Sequence, residues 1–299
     1  MWAAAAGLPL AACQTAPPRP PVVVEPPAVP VPPPAVPPAP PRPPRIGLAL
    51  GGGAARGFAH IGVIQVLEEQ GLRPDLVVGT SAGSLVAAMY ASGKSGVEMG
   101  SLAQSMDESG LTDWSFPGRG LIRGEALARY VRSQTSGLNI EQMKIPLGIV
   151  ATDLGDGSAI LFQRGDTGVA VRASSAVPAV FQPVKIGSRE YVDGGLVSPV
   201  PVRFARQMGA DLVIAVDISS PPDGNATGDA LRMLLQTFAI MGRSINRFEL
   251  KEADVVLRPG LSGVSGADFT ARMKVIQSGR EAALAALPQL RQRIAALTR

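Results

Sequence analysis

Short aliphatic runs alternate along the chain with stretches whose apolar residues recur every three or four positions. That alternation predicts a largely parallel sheet with crossover helices. Ile46–Leu50 is an apolar run closed by glycines and predicts a buried first strand. Residues 58–70 follow with helical spacing (Ile61, Ile64, Leu67) and stop at Gly71, a natural residue just past a helix end. Residues 76–78 predict the second strand, and residues 83–92 a second helix stopped by Gly93. Further on, helices are expected over 124–134, 169–175 and 202–208, and strands over 147–152, Ala159–Phe162 and Leu212–Val216. A short strand ends in Tyr191-Val192 at Asp193, and Val255-Val256 makes a last one. Leu231, Leu234, Leu235, Phe238, Met241, Ile245 and Phe248 form one apolar face of a long helix, a stripe that reads as core rather than membrane surface. Residues 269–297 read as helical with an interruption near Pro288.

Ahead of this pattern the composition is different. Residues 17–44 hold 16 of the 28 prolines of the 299-residue chain. Such a run lacks backbone donors and settles into polyproline II, reaching on the order of 85 Å at ~3.1 Å per residue. Residues 1–13 are apolar and end in Leu10-Ala11-Ala12-Cys13, which resembles a bacterial lipobox, although no Lys or Arg precedes the Cys. The expected organisation is therefore a signal segment over 1–13, a linker over 14–45, a catalytic domain over 46–260 and a C-terminal helical extension over 261–299 packing on it. Lipidation at Cys13 would tie the protein to a membrane surface, with an outer-membrane, periplasm-facing location expected and a cytoplasmic one as the alternative.

The chain carries a formal net charge of +4, and +2 remains once residues 1–45 are set aside. That balance is too even for a nucleic-acid footprint. The single Cys excludes an internal disulfide, and the single His, His60, restricts the catalytic options.

Gly79-Thr80-Ser81-Ala82-Gly83 falls directly after a strand and before a helix. A G-x-S-x-G in that context is a nucleophile elbow. The serine sits on a strained turn, so the residues two before and two after it must be nearly without side chains. Its hydroxyl then lies at a helix N-terminus, where the dipole favours a developing anion. Gly51-Gly52-Gly53-Ala54-Ala55-Arg56-Gly57 also joins a strand to a helix, and successive glycines let amides converge on an anion. It fits either a dinucleotide phosphate cradle or an oxyanion hole. Arg56 stands where the third glycine of the dinucleotide fingerprint belongs, and the second strand ends at Gly79 and Ser81 rather than at an acidic residue. Asp193-Gly194-Gly195 ends a short strand and, alone, would pass for a turn. A serine nucleophile needs a base, and with His60 placed on the first helix as a packed or surface residue, a carboxylate acting directly on the serine is the leading option.

The strings GLALGGGAARGFAHIGVIQVLEE, VVGTSAGSLVAAMYASG, VPAVFQPVKI and YVDGGLVSPVPV, in that order over residues 46–260, resemble the bacterial patatin-like phospholipases of the neuropathy-target-esterase type. The resemblance implies an α/β fold, a patatin-like three-layer sandwich with a mostly parallel central sheet and helices on both faces. It implies Ser81 as nucleophile and Asp193 as base, with the Gly51, Gly52 and Gly53 amides and Arg56 forming the oxyanion loop. Gly79 and Gly83 are the elbow glycines, and Gly194 and Gly195 those of the third motif. The implied activity is hydrolysis of lipid acyl esters, of the phospholipase A, lysophospholipase or carboxylesterase kind, through an acyl-enzyme without a metal or other cofactor. An acyltransferase using the same dyad and a non-catalytic lipid-binding lipoprotein are the alternatives.

Overall fold

The structure, a computed structural model, describes residues 42–106, 113, 120–219 and 228–298. Cys13 and the proline-rich stretch before residue 42 lie outside the described residues. The strands are β1 (Ile46–Leu50), β2 (Leu76–Thr80), β3 (Gly120–Ile122), β4 (Leu147–Asp153), β5 (Ala159–Phe162), β6 (Ala179–Phe181), β7 (Val184–Ile186), β8 (Arg189–Asp193), β9 (Leu212–Val216) and β10 (Val255–Leu257). The helices are α1 (Phe58–Glu69), α2 (Ala82–Ala91), α3 (Gly96–Ser105), α4 (Glu125–Gln134), α5 (Thr167–Ser174), α6 (Val202–Gln207), α7 (Ala230–Glu249) and α8 (Arg272–Leu297).

The main sheet runs β10-β9-β1-β2-β4-β8-β7, with β5 also on β4. The pairs among β10, β9, β1, β2 and β4 are parallel, whereas β5 and β8 run antiparallel to β4, and β7 to β8. The central strands are buried along their length, which is why they read as unbroken aliphatic runs. Alternate residues point to opposite faces. Leu48, Leu50, Val77, Ile149, Leu212 and Ile214 meet α1, α2 and α8 on one side. The smaller set Ala49, Val78, Val150, Val213 and Ala215 meets Val202, Phe204 and Ala205 of α6 on the other. This is the expected three-layer α/β sandwich.

α1 is apolar nearly all round because it is buried on two sides, by the sheet and by α8. The two helices cross at glycines: a Cβ on Gly62 would come 1.9 Å from the Ile276 carbonyl, and one on Gly279 2.0 Å from that of Ala59. Val275, Ile276, Ala283 and Leu287 of α8 belong to the main core, so the C-terminal region is part of the same unit, Pro41–Arg299, as the sheet.

Two expectations change. α8 runs unbroken through Pro288. Proline removes one intrahelical bond, but Pro288 and Leu284, whose carbonyl would have accepted it, are both on the exposed side, where water serves. The apolar stripe of α7 is only half-buried: Leu231, Leu234, Phe238 and Ile245 are partly covered, Leu235, Met241 and Phe248 are exposed, and no residue of the helix joins any of the three apolar clusters. The seam that does face the protein is Gly242, Asn246 and Glu249, a line at i, i+4 and i+7 made of small and polar residues. Gly242 against Pro199 and the Ser198–Glu249 hydrogen bond fix the fully buried seam.

Candidate active site

Ser81 caps α2 with φ 53° and ψ −126°, a left-handed φ on a residue with a Cβ. The surroundings hold it there. Its amide donates to the Ser174 hydroxyl at 2.8 Å, and Ser174 passes its own proton to the Val150 carbonyl at 2.6 Å. Its carbonyl accepts from the Ser84 hydroxyl at 2.6 Å and the Ser84 amide at 2.8 Å. Thr80 donates its hydroxyl to the Ser198 carbonyl at 2.9 Å. The flanking glycines are steric necessities. A Cβ on Gly79 would lie 2.4 Å from the Gly83 carbonyl oxygen, and one on Gly83 2.1 Å from that of Leu50. Ser81 remains half-exposed, so a substrate carbonyl can reach it.

Asp193 ends β8 and starts the 3-10 turn Gly194–Leu196. Its Oδ1 accepts the Gly195 amide at 2.7 Å, and its Oδ2 accepts the Ser81 hydroxyl at 2.6 Å. Its backbone is fixed on both sides, with its amide on the Ala176 carbonyl at 3.0 Å and its carbonyl receiving the Thr152 hydroxyl at 2.8 Å. Gly194 admits the close approach of β4, since a Cβ there would lie 2.2 Å from the Val150 carbonyl oxygen. Asp193 is only 7% exposed. Burial raises its pKa to about 6, against the opposing pull of the bonds from Ser81 and Gly195. A carboxylate so raised is a stronger proton acceptor than a solvated one, and it already holds the hydroxyl it would deprotonate.

The glycine loop lies against the elbow. A Cβ on Gly52 would come 3.1 Å from the Ser81 Cβ, and one on Gly57 2.8 Å from that of Ala82. The expected sharing of the oxyanion among three amides needs correction. The Gly51 amide donates to the Val216 carbonyl at 3.1 Å, extending the β1–β9 ladder, and the Gly52 amide donates to the Pro199 carbonyl at 2.9 Å. Among the described residues only the Gly53 amide of the three lacks such an acceptor. Arg56 is half-buried with Asp217 as its charge partner, and burial lowers its pKa. Its Nε has no hydrogen-bond partner among the described residues.

His60 is fully buried, and its Nε2 meets the Gly51 carbonyl at 2.8 Å. Burial pushes its pKa down to about 4, so the ring is neutral and Nε2 is the donor. It braces the glycine loop from behind, while the Ser81 hydroxyl is taken by Asp193.

The residues that hold Ser81 and Asp193 in register, Ser174, Thr80, Thr152 and Ser198, escaped sequence reasoning. Each acts through one hydroxyl or carbonyl on a partner far along the chain, and a lone Ser or Thr gives no local pattern. Ser198 also donates its hydroxyl to Glu249 of α7 at 2.5 Å, and burial raises the Glu249 pKa to about 7. Among the described residues, no group of three or more His, Cys, Asp or Glu side chains is placed to hold a metal ion.

The Patatin-like phospholipase family model matches residues 48–206. An uncharacterized NTE family protein of Mycobacterium tuberculosis is 38% identical over 215 residues, covering 68% of this chain and 59% of that protein. Patatin-like phospholipase domain-containing protein 6 of Mus musculus is 34% identical over 197 residues, covering 62% of this chain and 14% of the relative. The chain thus spans only part of the length of these relatives. Among solved structures, VipD from Legionella pneumophila superposes with a TM-score of 0.58 at 15% identity, over 83% of this chain and 67% of that one. ExoU, in its heterodimeric complex with SpcU from the type III secretion system of Pseudomonas aeruginosa, gives 0.50 at 19% identity, over 85% and 52%. At these identities the likeness is one of fold.

Proposed function

The chain belongs to the patatin-like phospholipase family, and we propose that it is a lipid acyl hydrolase working through a Ser81–Asp193 dyad. The observation that carries this reading is the 2.6 Å bond from the Ser81 hydroxyl to Asp193 Oδ2, made at a strained elbow beside a glycine loop. Ser81 Oγ attacks the ester carbonyl carbon as its proton passes to Asp193. The tetrahedral oxyanion is met by the Gly53 amide and the N-terminal end of α2; one such donor is worth about 3 kcal/mol in the transition state. Asp193 returns the proton to the departing alcohol or lysolipid. Water, deprotonated by Asp193 in turn, then releases the acyl group from Ser81.

Labelling with a fluorophosphonate and hydrolysis of a phospholipid and lysophospholipid panel test the proposal. The expected result is label on wild type, none on Ser81→Ala, and free fatty acid as product. Failure of the folded wild type to take the label would overturn the dyad. Acyl transfer to an added alcohol in preference to water would move the enzyme to the acyltransferase class.

The lipobox-like string at Cys13 supports a second part of the proposal, an outer-membrane lipoprotein with the enzyme held off the bilayer by the proline-rich linker. Two or three acyl chains would make the anchoring stable. Palmitate labelling and fractionation of wild type and Cys13→Ser, expressed with the native upstream sequence, test it. An unlabelled cytosolic protein would refute it.

A further inference from the structure

α7 is the most exposed apolar element in the described fold. Five of the nine large hydrophobic residues that stand exposed among the described residues are on it: Met233, Leu235, Ile240, Met241 and Phe248. Its first twelve residues, 230–241, include Leu231, Leu234 and Phe238 as well, with Arg232 as the sole charge. At 100° per residue Leu231, Leu234, Phe238, Met241 and Ile245 share one side, Arg232, Gln236, Arg243 and Arg247 stack in a polar stripe across from it, and Met233 and Ile240 flank that stripe. An uncovered helix whose polar stripe is basic, with exposed apolar residues on either side of it, is suited to lie in a lipid–water interface.

The fully buried residues of the helix lie toward its far end. Gly242 sits against Pro199, Asn246 is buried, and Glu249 receives the Ser198 hydroxyl and lies 3.4 Å from Arg203 Nε. These contacts tie α7 to the segment directly after Asp193-Gly194-Gly195, and the helix touches the Gly194–Leu196 turn itself. Where the apolar stretch ends, Arg243, Arg247 and Lys251 stand exposed. The one acid of the helix, Glu249, is buried; Asp229 before it pairs with Arg232, and Glu252 follows it. The free charge at the root of the apolar stretch is therefore mainly basic and matches lipid phosphates. No described helix is long and apolar enough to cross a membrane, so the geometry fits insertion into one leaflet.

We propose that α7 is a lipid-docking helix that seats the Ser81–Asp193 site on an anionic phospholipid surface, Met233, Leu235, Ile240, Met241 and Phe248 entering the acyl region and Arg243, Arg247 and Lys251 meeting the headgroups. The proposal rests on the lipid hydrolase reading above for the use of that docking, not for the docking itself.

The test is co-sedimentation of the full chain, in a Cys13→Ser background so that no acyl anchor contributes, with vesicles of phosphatidylcholine alone or with 30% phosphatidylglycerol (about a third, enough for a clear surface potential). Met233→Ser/Ile240→Ser/Phe248→Ser changes exposed positions only and should fold with an unchanged melting temperature. It is expected to weaken vesicle binding at least ~10-fold and to lose vesicle hydrolysis in proportion, while turnover of a monomeric short-chain ester stays within about twofold. Arg243→Glu/Arg247→Glu should abolish the preference for anionic vesicles. Unchanged vesicle binding by the triple variant overturns the proposal. So does the finding that the triple substitution merely converts a dimer to a monomer in sedimentation velocity. Ser81→Ala should still bind vesicles. Vesicle binding without hydrolysis of any ester by wild type would sink the hydrolase reading and leave the docking surface standing.

Discussion

Ser81 and Asp193 meet across an intervening strand: Ser81 follows β2, Asp193 ends β8, and β4 lies between them in the sheet. The small residues of β4 and the glycine at 194 let the two ends converge above it, Gly194 resting directly on the Val150 carbonyl. The pairing therefore depends on the register of three strands, and its chemistry on the burial of one carboxyl.

Activity should carry an acidic limb set by Asp193. The proposed dyad needs the carboxylate form to accept the Ser81 proton, and burial raises that pKa to about 6. With a soluble ester, kcat/KM should fall about tenfold per pH unit below that value. A limb centred near 4, the range of a solvated carboxyl, would contradict the burial argument.

Asp193→Asn should lose at least ~10³-fold in turnover, since the amide keeps the shape but cannot take the proton. It should also raise stability at neutral pH. A carboxyl whose pKa is higher folded than unfolded contributes fully below its unfolded value of 3.8, and that contribution is lost as pH rises through about 6. The stability of the variant relative to wild type, read from thermal melts, should therefore climb between pH 4 and 7 by on the order of 3 kcal/mol. A difference that is flat over this range would refute it.

Ser174→Ala should damage the elbow without touching the substrate. It leaves the Ser81 amide without its partner and removes the hydroxyl bond to the Val150 carbonyl, a loss of about 1–3 kcal/mol. Because the strained Ser81 backbone loses a restraint, kcat should fall more than KM rises. Thermal melts and steady-state kinetics on the same preparations check both halves.

His60→Gln should keep measurable hydrolysis and the acidic limb near 6, because the ring braces Gly51 and does not exchange protons with Ser81. Its folded pKa is depressed to about 4. The stability it contributes is present above its unfolded value of 6.5 and is lost as pH falls through 4. The Gln variant should consequently be less acid-labile than wild type, as read by denaturant midpoints at pH 4 and pH 7. A folded but inactive His60 variant would point to a triad-like scheme.

Gly52→Ala and Gly83→Ala should part company. The first places a Cβ 3.1 Å from that of Ser81, beside the reacting oxygen, and is expected to cut activity with little change in melting temperature. The second drives a Cβ to within 2.1 Å of the Leu50 carbonyl oxygen and should unfold the elbow. Equal loss of stability in both would mean that Gly52 serves packing alone.

The sequence by itself determined the elements from β1 to α2, the elbow at Ser81 and the glycine loop, because each is written in a few consecutive residues. An aliphatic run, a helical period and a glycine where a Cβ would collide are local facts. It also excluded a histidine base among several, there being one His in the chain. The tertiary structure alone decided what depends on distant partners. It engaged the Gly51 and Gly52 amides with Val216 and Pro199, leaving Gly53, and it supplied Ser174, Thr152 and Ser198 as supports. It also left the apolar stripe of α7 only half-buried. Periodicity tells which side of a helix is apolar, but which side faces the protein is settled by the contacts available, here a glycine against Pro199 and a buried Glu249 on Ser198. A hydrogen bond between residues a hundred positions apart leaves no period in the sequence, so its effect becomes visible only once the chain has brought the two groups together.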